Sequence, residues 1–320
     1  MTLKEIVIGK NVDLFIEELQ CRDMAQPSSI FASMKAAVRH IVRMRDVQFE
    51  PSLFRNYLTG TALDELLCSY KGLPKGVNYM VIGDPGVGKT TIIMDMLSDI
   101  RMLSTTARVL FISAEMNEID LAVYVQRFPK FQDLDILFIK ADFSPEGGNV
   151  HCLELLTDIF SSGWDVVAID SFYELQGIIK EEENITLKKA ESLLLSLLKE
   201  QNEGHNDVGA NTTFLIIQQV TKSGNFIGSN RLKHYITAMM ELRLENPKNV
   251  YSSRYVVFTK HRRGTVGIRL YYDLGVEGDV FYDEKRFQQD QQIRSLQSKA
   301  SDSIRDVADR FDKLFSNIEI

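Results

Sequence analysis

The chain has 320 residues, 44% of them hydrophobic, a net charge of −7 and three cysteines. That composition supports one large domain with appendages, and the acidic balance excludes a histone-like protein that coats nucleic acid through a global basic field. Cys21, Cys68 and Cys152 lie far apart with no C-x-x-C pair, so neither a zinc ribbon nor a disulfide framework is expected.

Residues 1–57 read as a helical N-terminal appendage. Pro27-Ser28-Ser29 caps a stretch that places Ile30, Phe31, Met34, Ala37, Val38 and Ile41 on one helical face. The start of the chain lacks a signal-peptide core, and the longest apolar runs are strand-sized, so a cytosolic protein without a membrane span is expected. From about residue 76 the chain alternates strand-like runs (77–82, 108–113, 135–139, 165–169, 213–218) with helical stretches, 187–199 being a clear one. This rhythm predicts a parallel sheet covered by helices. Four further runs (236–245, 254–260, 267–273, 279–282) follow with short turns and no long helix, which reads as an antiparallel extension of that sheet. The last stretch, 286–320, is an amphipathic helix carrying Ile293, Leu296, Ala300, Ile304, Val307, Phe311, Leu314 and Ile318. It serves either its own core or a protein partner or oligomer contact.

The strongest chemical signal is GDPGVGKT at residues 83–90, set between a strand and a helix. Glycines at Gly83, Gly86 and Gly88 let the backbone curl so that several N–H groups converge on one anion. The following helix adds its positive end. Gly83, Asp84, Pro85, Gly86, Val87, Gly88, Lys89, Thr90 and Thr91 are therefore expected to bind the phosphates of ATP. Lys89 would reach the β- and γ-phosphates and Thr90 would ligate Mg²⁺.

Hydrolysis needs more than a cradle. The run 164–170 is an apolar strand ending in Asp170, taken to lie beside the P-loop strand and to hold Mg²⁺ with Thr90; capping of the next turn is the plainer alternative. Ser171 follows where many P-loop ATPases place a glutamate. Glu115, at the end of the strand after the P-loop helix, is the candidate for activating water, against a plain helix N-terminal role. The strand 214–217 ends in Gln218-Gln219, and Gln219 is placed to report the γ-phosphate. The next segment, 220–234, is Gly-rich, basic and free of acidic residues. Lys222, Arg231 and Lys233 can hold a single-stranded DNA backbone and Phe226 can stack on a base, unless the segment is only a solvated loop. The loop expected after Asp170 carries Glu181, Glu182 and Glu183, poor material for gripping phosphates. Lys260-His261-Arg262-Arg263-Gly264 forms a basic hairpin whose Lys260 and Arg262 can reach a neighbouring subunit's nucleotide in trans; a basic surface turn or a second nucleic-acid contact are the alternatives.

Taken together, residues 58–285 resemble the RecA superfamily of P-loop ATPases, and within it the RadA/Sms branch and the DnaB-like hexameric helicases. The marks are Leu58-Thr59-Gly60 with Leu63-Asp64 and 72–76, the Ser113-Ala114-Glu115 step, the ordered segment from Val220 to His234, and Lys260-x-Arg262-x-Gly264. RadA's four-cysteine module and its C-terminal protease-like domain are missing, and Arg263 stands where RadA has an aromatic. The resemblance implies a RecA-like core, ATP and Mg²⁺ as cofactors, and assembly into a homo-oligomeric ring or filament with nucleotide between protomers. The function it implies is that of a DNA-dependent ATPase, possible helicase or motor in recombination, repair or replication. Its compact size suits a phage or mobile-element protein. A RecA-like strand-exchange recombinase and a KaiC-like regulatory ATPase without a DNA role are the other classes it leaves open.

Overall fold

The computed structural model describes residues 43–48, 51–139, 151–219 and 230–297. The chain divides into two compact units, Met1–Ser52 and Leu53–Ile320. In the first, a 3-10 turn is described at Met44–Asp46, and a second begins at Pro51. The helix expected near residues 30–41 lies outside the described residues.

The second unit is built on one sheet of nine strands in the order β3-β2-β4-β5-β1-β6-β7-β8-β9. The strands are β1 (Asn78–Gly83), β2 (Val109–Ser113), β3 (Asp135–Phe138), β4 (Val166–Asp170), β5 (Thr213–Ile217), β6 (Ala238–Leu244), β7 (Arg254–His261), β8 (Arg269–Leu274) and β9 (Val280–Tyr282). The helices are α1 (Asp64–Leu67), α2 (Lys89–Leu103), α3 (Glu118–Arg127), α4 (Cys152–Ser161), α5 (Phe172–Glu182), α6 (Leu187–Asn202) and α7 (Asn230–Tyr235). Residues 284–297 are also helical, and the rest of the expected C-terminal helix lies outside the described residues.

The central strands are apolar on both faces because both faces are covered. Side chains alternate between two cores. Tyr79, Val81, Phe111, Val166 and Leu215 pack on the α2 side with Ile92, Ile93, Met96 and Leu97. Met80, Ile82, Leu110, Ile112, Val167 and Ile216 pack on the other side with Leu156, Phe172, Leu175, Leu194 and Leu232. Cys68 and Cys152 are buried free thiols.

Three expectations are corrected. The run 236–245 is antiparallel on one side only: β6 pairs with β1 in parallel, Tyr79 opposite Ala238 and Gly83 opposite Leu242, and with β7 antiparallel, and antiparallel pairing then continues through β8 and β9. The crossover into β6 runs through α7, a six-residue helix too short to show a period in the sequence. Second, β5 lies between β4 and β1, so Asp170 is not on the strand next to the P-loop strand. Third, the segment after Asp170 is not a loop but helix α5, N-capped by the Ser171 side chain, which accepts from the Glu174 amide. Its C-terminal glutamates have local work. Glu182 accepts a hydrogen bond from the Cys152 amide (2.6 Å) at the start of α4, and Glu183 pairs with His151 (2.9 Å), holding that imidazole above its ordinary pKa.

The leading segment is tied down by Asp64, whose carboxylate accepts from the Thr59 amide, the Thr59 hydroxyl and the Gly60 amide at 2.9 Å each. This explains the Thr59-Gly60…Asp64 spacing: one carboxylate satisfies the turn that starts the unit.

A buried ionic cluster fixes the far end of α2. The Lys130 ammonium reaches Asp95, Asp99 (2.9 Å) and Asp279 (3.4 Å), joining α2 to the β8–β9 turn. Burial raises the Asp95 carboxyl to about 6 despite the Lys130 hydrogen bond, and the Asp99 charge adds to the rise. Burial alone would lower the Lys130 ammonium, but its hydrogen bonds to Asp95 and Asp99 overcome that and raise it. Lys130→Met strands two buried carboxylates, an expected loss of about 3 kcal/mol at neutral pH. Because the folded-state pKa of Asp95 lies above its unfolded value, protonation favours the folded state. Without Lys130 nothing opposes that rise, so the variant's carboxyls protonate at higher pH still and the loss should shrink as pH falls towards about 6. Urea midpoints of both proteins at about pH 7.5 and about pH 5.5 measure this.

Candidate active site

In a parallel sheet the strand C-termini point the same way, and the loops beyond them converge. Here β2, β4, β5 and β1 are successive in the sheet, and they deliver Glu115, Asp170, Gln219 and the P-loop to one edge.

The loop itself is shaped by its glycines. Gly86 has φ 76° and Gly88 φ 93°, both in the left-handed region that disfavours any side chain. A Cβ at Gly86 would meet nothing within 4 Å, so the loop's concavity is open there. A Cβ at Gly88 would lie 2.5 Å from Leu274 Cδ1, and one at Gly83 would lie 2.4 Å from the Leu242 carbonyl oxygen. The loop is thus pressed against β6 and β8 from behind. Helix α2 has no side-chain N-cap, and the Ile92 amide donates to the Gly88 carbonyl (2.9 Å). The amides of Lys89, Thr90 and Thr91 precede that bond and have no acceptor within the helix. An uncapped helix start behind an open glycine loop fits a polyphosphate.

Lys89 Nζ donates to the carbonyls of Gly83 (3.0 Å) and Asp84 (3.2 Å), spanning the loop it would share with phosphates. Burial lowers its pKa, and Asp170, Glu115 and Asp84 oppose the fall. The Thr90 hydroxyl donates to Asp170 Oδ2 at 2.6 Å, linking α2 to the end of β4 across β5. Asp170 is buried, which raises its carboxyl to about 6. The Thr90 bond and Lys89 oppose that rise, and the Glu115 charge reinforces it. A hydroxyl and a carboxylate, both hard oxygen donors, suit Mg²⁺, which keeps several waters and takes one or two protein ligands beside nucleotide phosphates. Gln219 Nε2 donates to Glu115 Oε1 at 2.8 Å, so the ends of β5 and β2 meet above Asp170. Gln218, its neighbour, is fully buried. Thr91 is buried, and its hydroxyl shares a hydrogen bond with Tyr124 of α3 (2.8 Å).

The remaining sequence candidates lie elsewhere. Lys260 Nζ donates to the carbonyls of Lys233 and Ile236 (3.0 Å to the latter), and Arg262 donates to the His234 carbonyl (2.9 Å). Both cations therefore close on the C-terminal end of α7 within their own chain. His261 points the other way. Its Nε2 lies 3.1 Å from each of the Leu66 and Leu67 carbonyls, its Nδ1 accepts from the Arg263 amide (3.2 Å), and burial lowers its pKa. Arg263 hydrogen-bonds the Lys75 carbonyl (3.3 Å), tying the hairpin to the leading segment. Lys222 and Phe226 lie outside the described residues. Arg231 and Lys233 sit on α7, Lys233 exposed.

Two site residues escaped the sequence reading. Arg243 on β6 reaches Asp84 of the loop, and Tyr272 on β8 donates its buried hydroxyl to the Val87 carbonyl (2.7 Å). Only one signal was visible for either: Glu241 and Arg243 are charges inside an otherwise apolar strand.

The strand order of this sheet, with the glycine loop, helix start and strand-end carboxylate gathered at its C-terminal edge, is that of a RecA-like core fold. The comparisons agree. The crystal structure of a KaiC-like protein from the hyperthermophilic archaeon Pyrococcus horikoshii superposes with a TM-score of 0.53 at 20% identity, covering 71% of this chain and 98% of the other. The flagellar accessory protein FlaH of Methanocaldococcus jannaschii superposes with a TM-score of 0.52 at 12% identity, covering 72% of this chain and 99% of the other. In sequence, the chain is 24% identical over 232 residues to the DNA repair protein RadA of Mycolicibacterium smegmatis, a match over 71% of this chain. It spans less than half, 46%, of that relative's length. No protein-family model matches the chain. No described helix is long and apolar enough to cross a membrane.

Tyr272→Phe removes one buried hydrogen bond to the loop. It should lower stability by about 1 kcal/mol and speed hydrogen exchange of the Gly88 and Lys89 amides. Unchanged exchange there would mean that β8 does not brace the loop.

Proposed function

We propose that this chain is an ATP-hydrolysing, DNA-stimulated motor or recombination protein of the RadA/DnaB-like kind, working as a homo-oligomeric ring or filament. The observation that carries the enzymatic half is the convergence of Thr90–Asp170 and Gln219–Glu115 on the edge that bears the glycine cradle. Lys89 neutralises phosphate charge once released from the loop carbonyls. Thr90 and Asp170 would hold Mg²⁺, which would offset charge on the phosphate oxygens. Glu115 orients and deprotonates the attacking water. Gln219 lets go of Glu115 to bond the γ-phosphate or the water, and its backbone carries that change into the segment 220–234.

The DNA half rests on charge. In a chain of net charge −7, the segment after Gln219 carries Lys222, Arg231 and Lys233 without an acidic residue. Phosphate contacts need no more than such a local patch, and Phe226 adds a stacking surface. The RadA likeness supports the same reading. Lys260 and Arg262, parked on α7 carbonyls here, complete a neighbour's site once protomers assemble. The C-terminal helix offers a further protein contact.

A second reading, a KaiC-like regulatory ATPase whose partners are proteins, is favoured by the net charge of −7. ATPase rates with and without single-stranded DNA separate the two. Stimulation that fades with added salt supports the motor or recombinase; indifference to DNA supports the regulator. Images of the assembly on DNA then distinguish rings from a recombinase's long filaments.

Two tests address the residues. Lys89→Ala should abolish turnover, and Glu115→Gln should retain nucleotide binding while turnover falls at least a hundredfold or so; persistent hydrolysis in Glu115→Gln would move the base elsewhere. Neutralising Lys222, Arg231 and Lys233 together should weaken DNA binding and flatten its salt dependence by roughly 2–3 units of log–log slope. An unchanged slope would remove these residues from the DNA contact.

A further inference from the structure

The cradle contains a charge of the wrong sign. Asp84 is the second residue of the phosphate loop, its carbonyl is held by Lys89, and its carboxylate is three-quarters buried. An unbalanced carboxylate there opposes the polyphosphate the loop would receive. The sheet supplies the counter-charge. Gly83, the last residue of β1, pairs with Leu242 of β6, so the next residue of β6, Arg243, stands level with Asp84. Arg243 Nη1 donates to Asp84 Oδ1 at 3.3 Å. The same guanidinium is fixed from the other side by Glu241, whose Oε2 accepts from Nε (3.0 Å) and Nη2 (2.8 Å). Glu241 is fixed in turn: its Oε1 accepts from the Thr259 hydroxyl of β7 at 2.7 Å. Arg243 and Glu241 alternate on one face of β6 and are both partly buried, so the arrangement is built into the sheet rather than sampled by loose surface chains.

We propose that Arg243 is the charge-compensating residue of the nucleotide site: it neutralises Asp84 within the phosphate loop, so that a nucleoside triphosphate can enter, and Glu241 with Thr259 holds it in place for that purpose. This deepens the nucleotide-binding reading and rests on it. Lys89 and Arg243 balance Asp84 and Glu241. Without Arg243 the wall of the cradle carries an excess negative charge, and binding weakens in proportion to the charge of the ligand. The deeper link is that β7, the strand that ends in Lys260 and His261, bears the Thr259 at the base of this chain of bonds. A neutral hydroxyl of the antiparallel extension thereby anchors the ion pair beside the loop.

The experiment is a charge-rescue cycle read by equilibrium binding of fluorescent ATP, ADP and AMP analogues to the full chain. Arg243→Gln should weaken ATP binding by roughly tenfold, ADP by less and AMP least, and added salt should narrow the gap. Adding Asp84→Asn to Arg243→Gln should recover most of the lost ATP affinity. Thr259→Val, which changes no charge but removes the bond that fixes Glu241, should show a smaller loss of the same ligand-charge dependence. Melting temperatures of all variants separate folding from binding. An equal loss for all three ligands, or no recovery in the double variant, overturns the proposal by reducing Arg243 to a packing residue. Failure of the unmodified protein to bind ATP at all would instead overturn the nucleotide-site reading itself.

Discussion

A strand buried on both faces can present chemistry only at its ends, and that constraint organises this protein. β1, β2, β4 and β5 are clad by α2 on one side and by α4–α6 on the other, so their residues are committed to packing. Polar side chains collect where cladding stops, at the C-terminal edge. There the Thr90–Asp170 hydrogen bond, 2.6 Å long, joins the P-loop helix to a strand two places away and closes the site across β5. Burial raises the Asp170 carboxyl to about 6, and a nearby cation would stabilise its charged form.

The antiparallel half does a different job. Its strands add little that resembles catalysis, yet two of its side chains press on the loop, Leu274 against Gly88 and Tyr272 on the Val87 carbonyl, and the neighbouring β6 adds Arg243 on Asp84. A glycine loop free to curl is also free to collapse. These contacts limit the collapse from behind while leaving the Gly86 side open. The same half turns from β7 towards β8 through Lys260–Arg263, pinned by His261 to α1 carbonyls and by Arg263 to the leading segment. Loop, extension and hairpin are thereby parts of one mechanical unit.

Much of this was legible in the order of residues because the governing physics is local. Strands β1, β2, β4 and β5 stand out as apolar runs since each must satisfy two cores, and the phosphate loop shows through glycines that positive φ demands at Gly86 and Gly88. Asp170 and Glu115 were readable as carboxylates closing apolar runs. What escaped depended on neighbours far apart in the chain. The parallel direction of β6 follows from a crossover whose only described helix is α7, with too few residues to reveal a period. Glu181–Glu183 read as loop material because three adjacent acids mask a helix end; Glu182 and Glu183 serve the start of α4. The place of β5 between β4 and β1 cannot be seen in any single segment, and the pairing of Arg243 with Asp84 needs the β1–β6 register.

The central claim is that the edge around residues 83–90 exists to receive a magnesium-bound triphosphate. The most direct measurement is a crystal structure grown with saturating magnesium and a non-hydrolysable ATP analogue. The account predicts phosphates in the loop, Lys89 turned from the Gly83 and Asp84 carbonyls onto them, and the Thr90 hydroxyl parted from Asp170 with the cation between. A loop still closed on Lys89, with the Thr90–Asp170 hydrogen bond intact and the ligand elsewhere or absent, would contradict it.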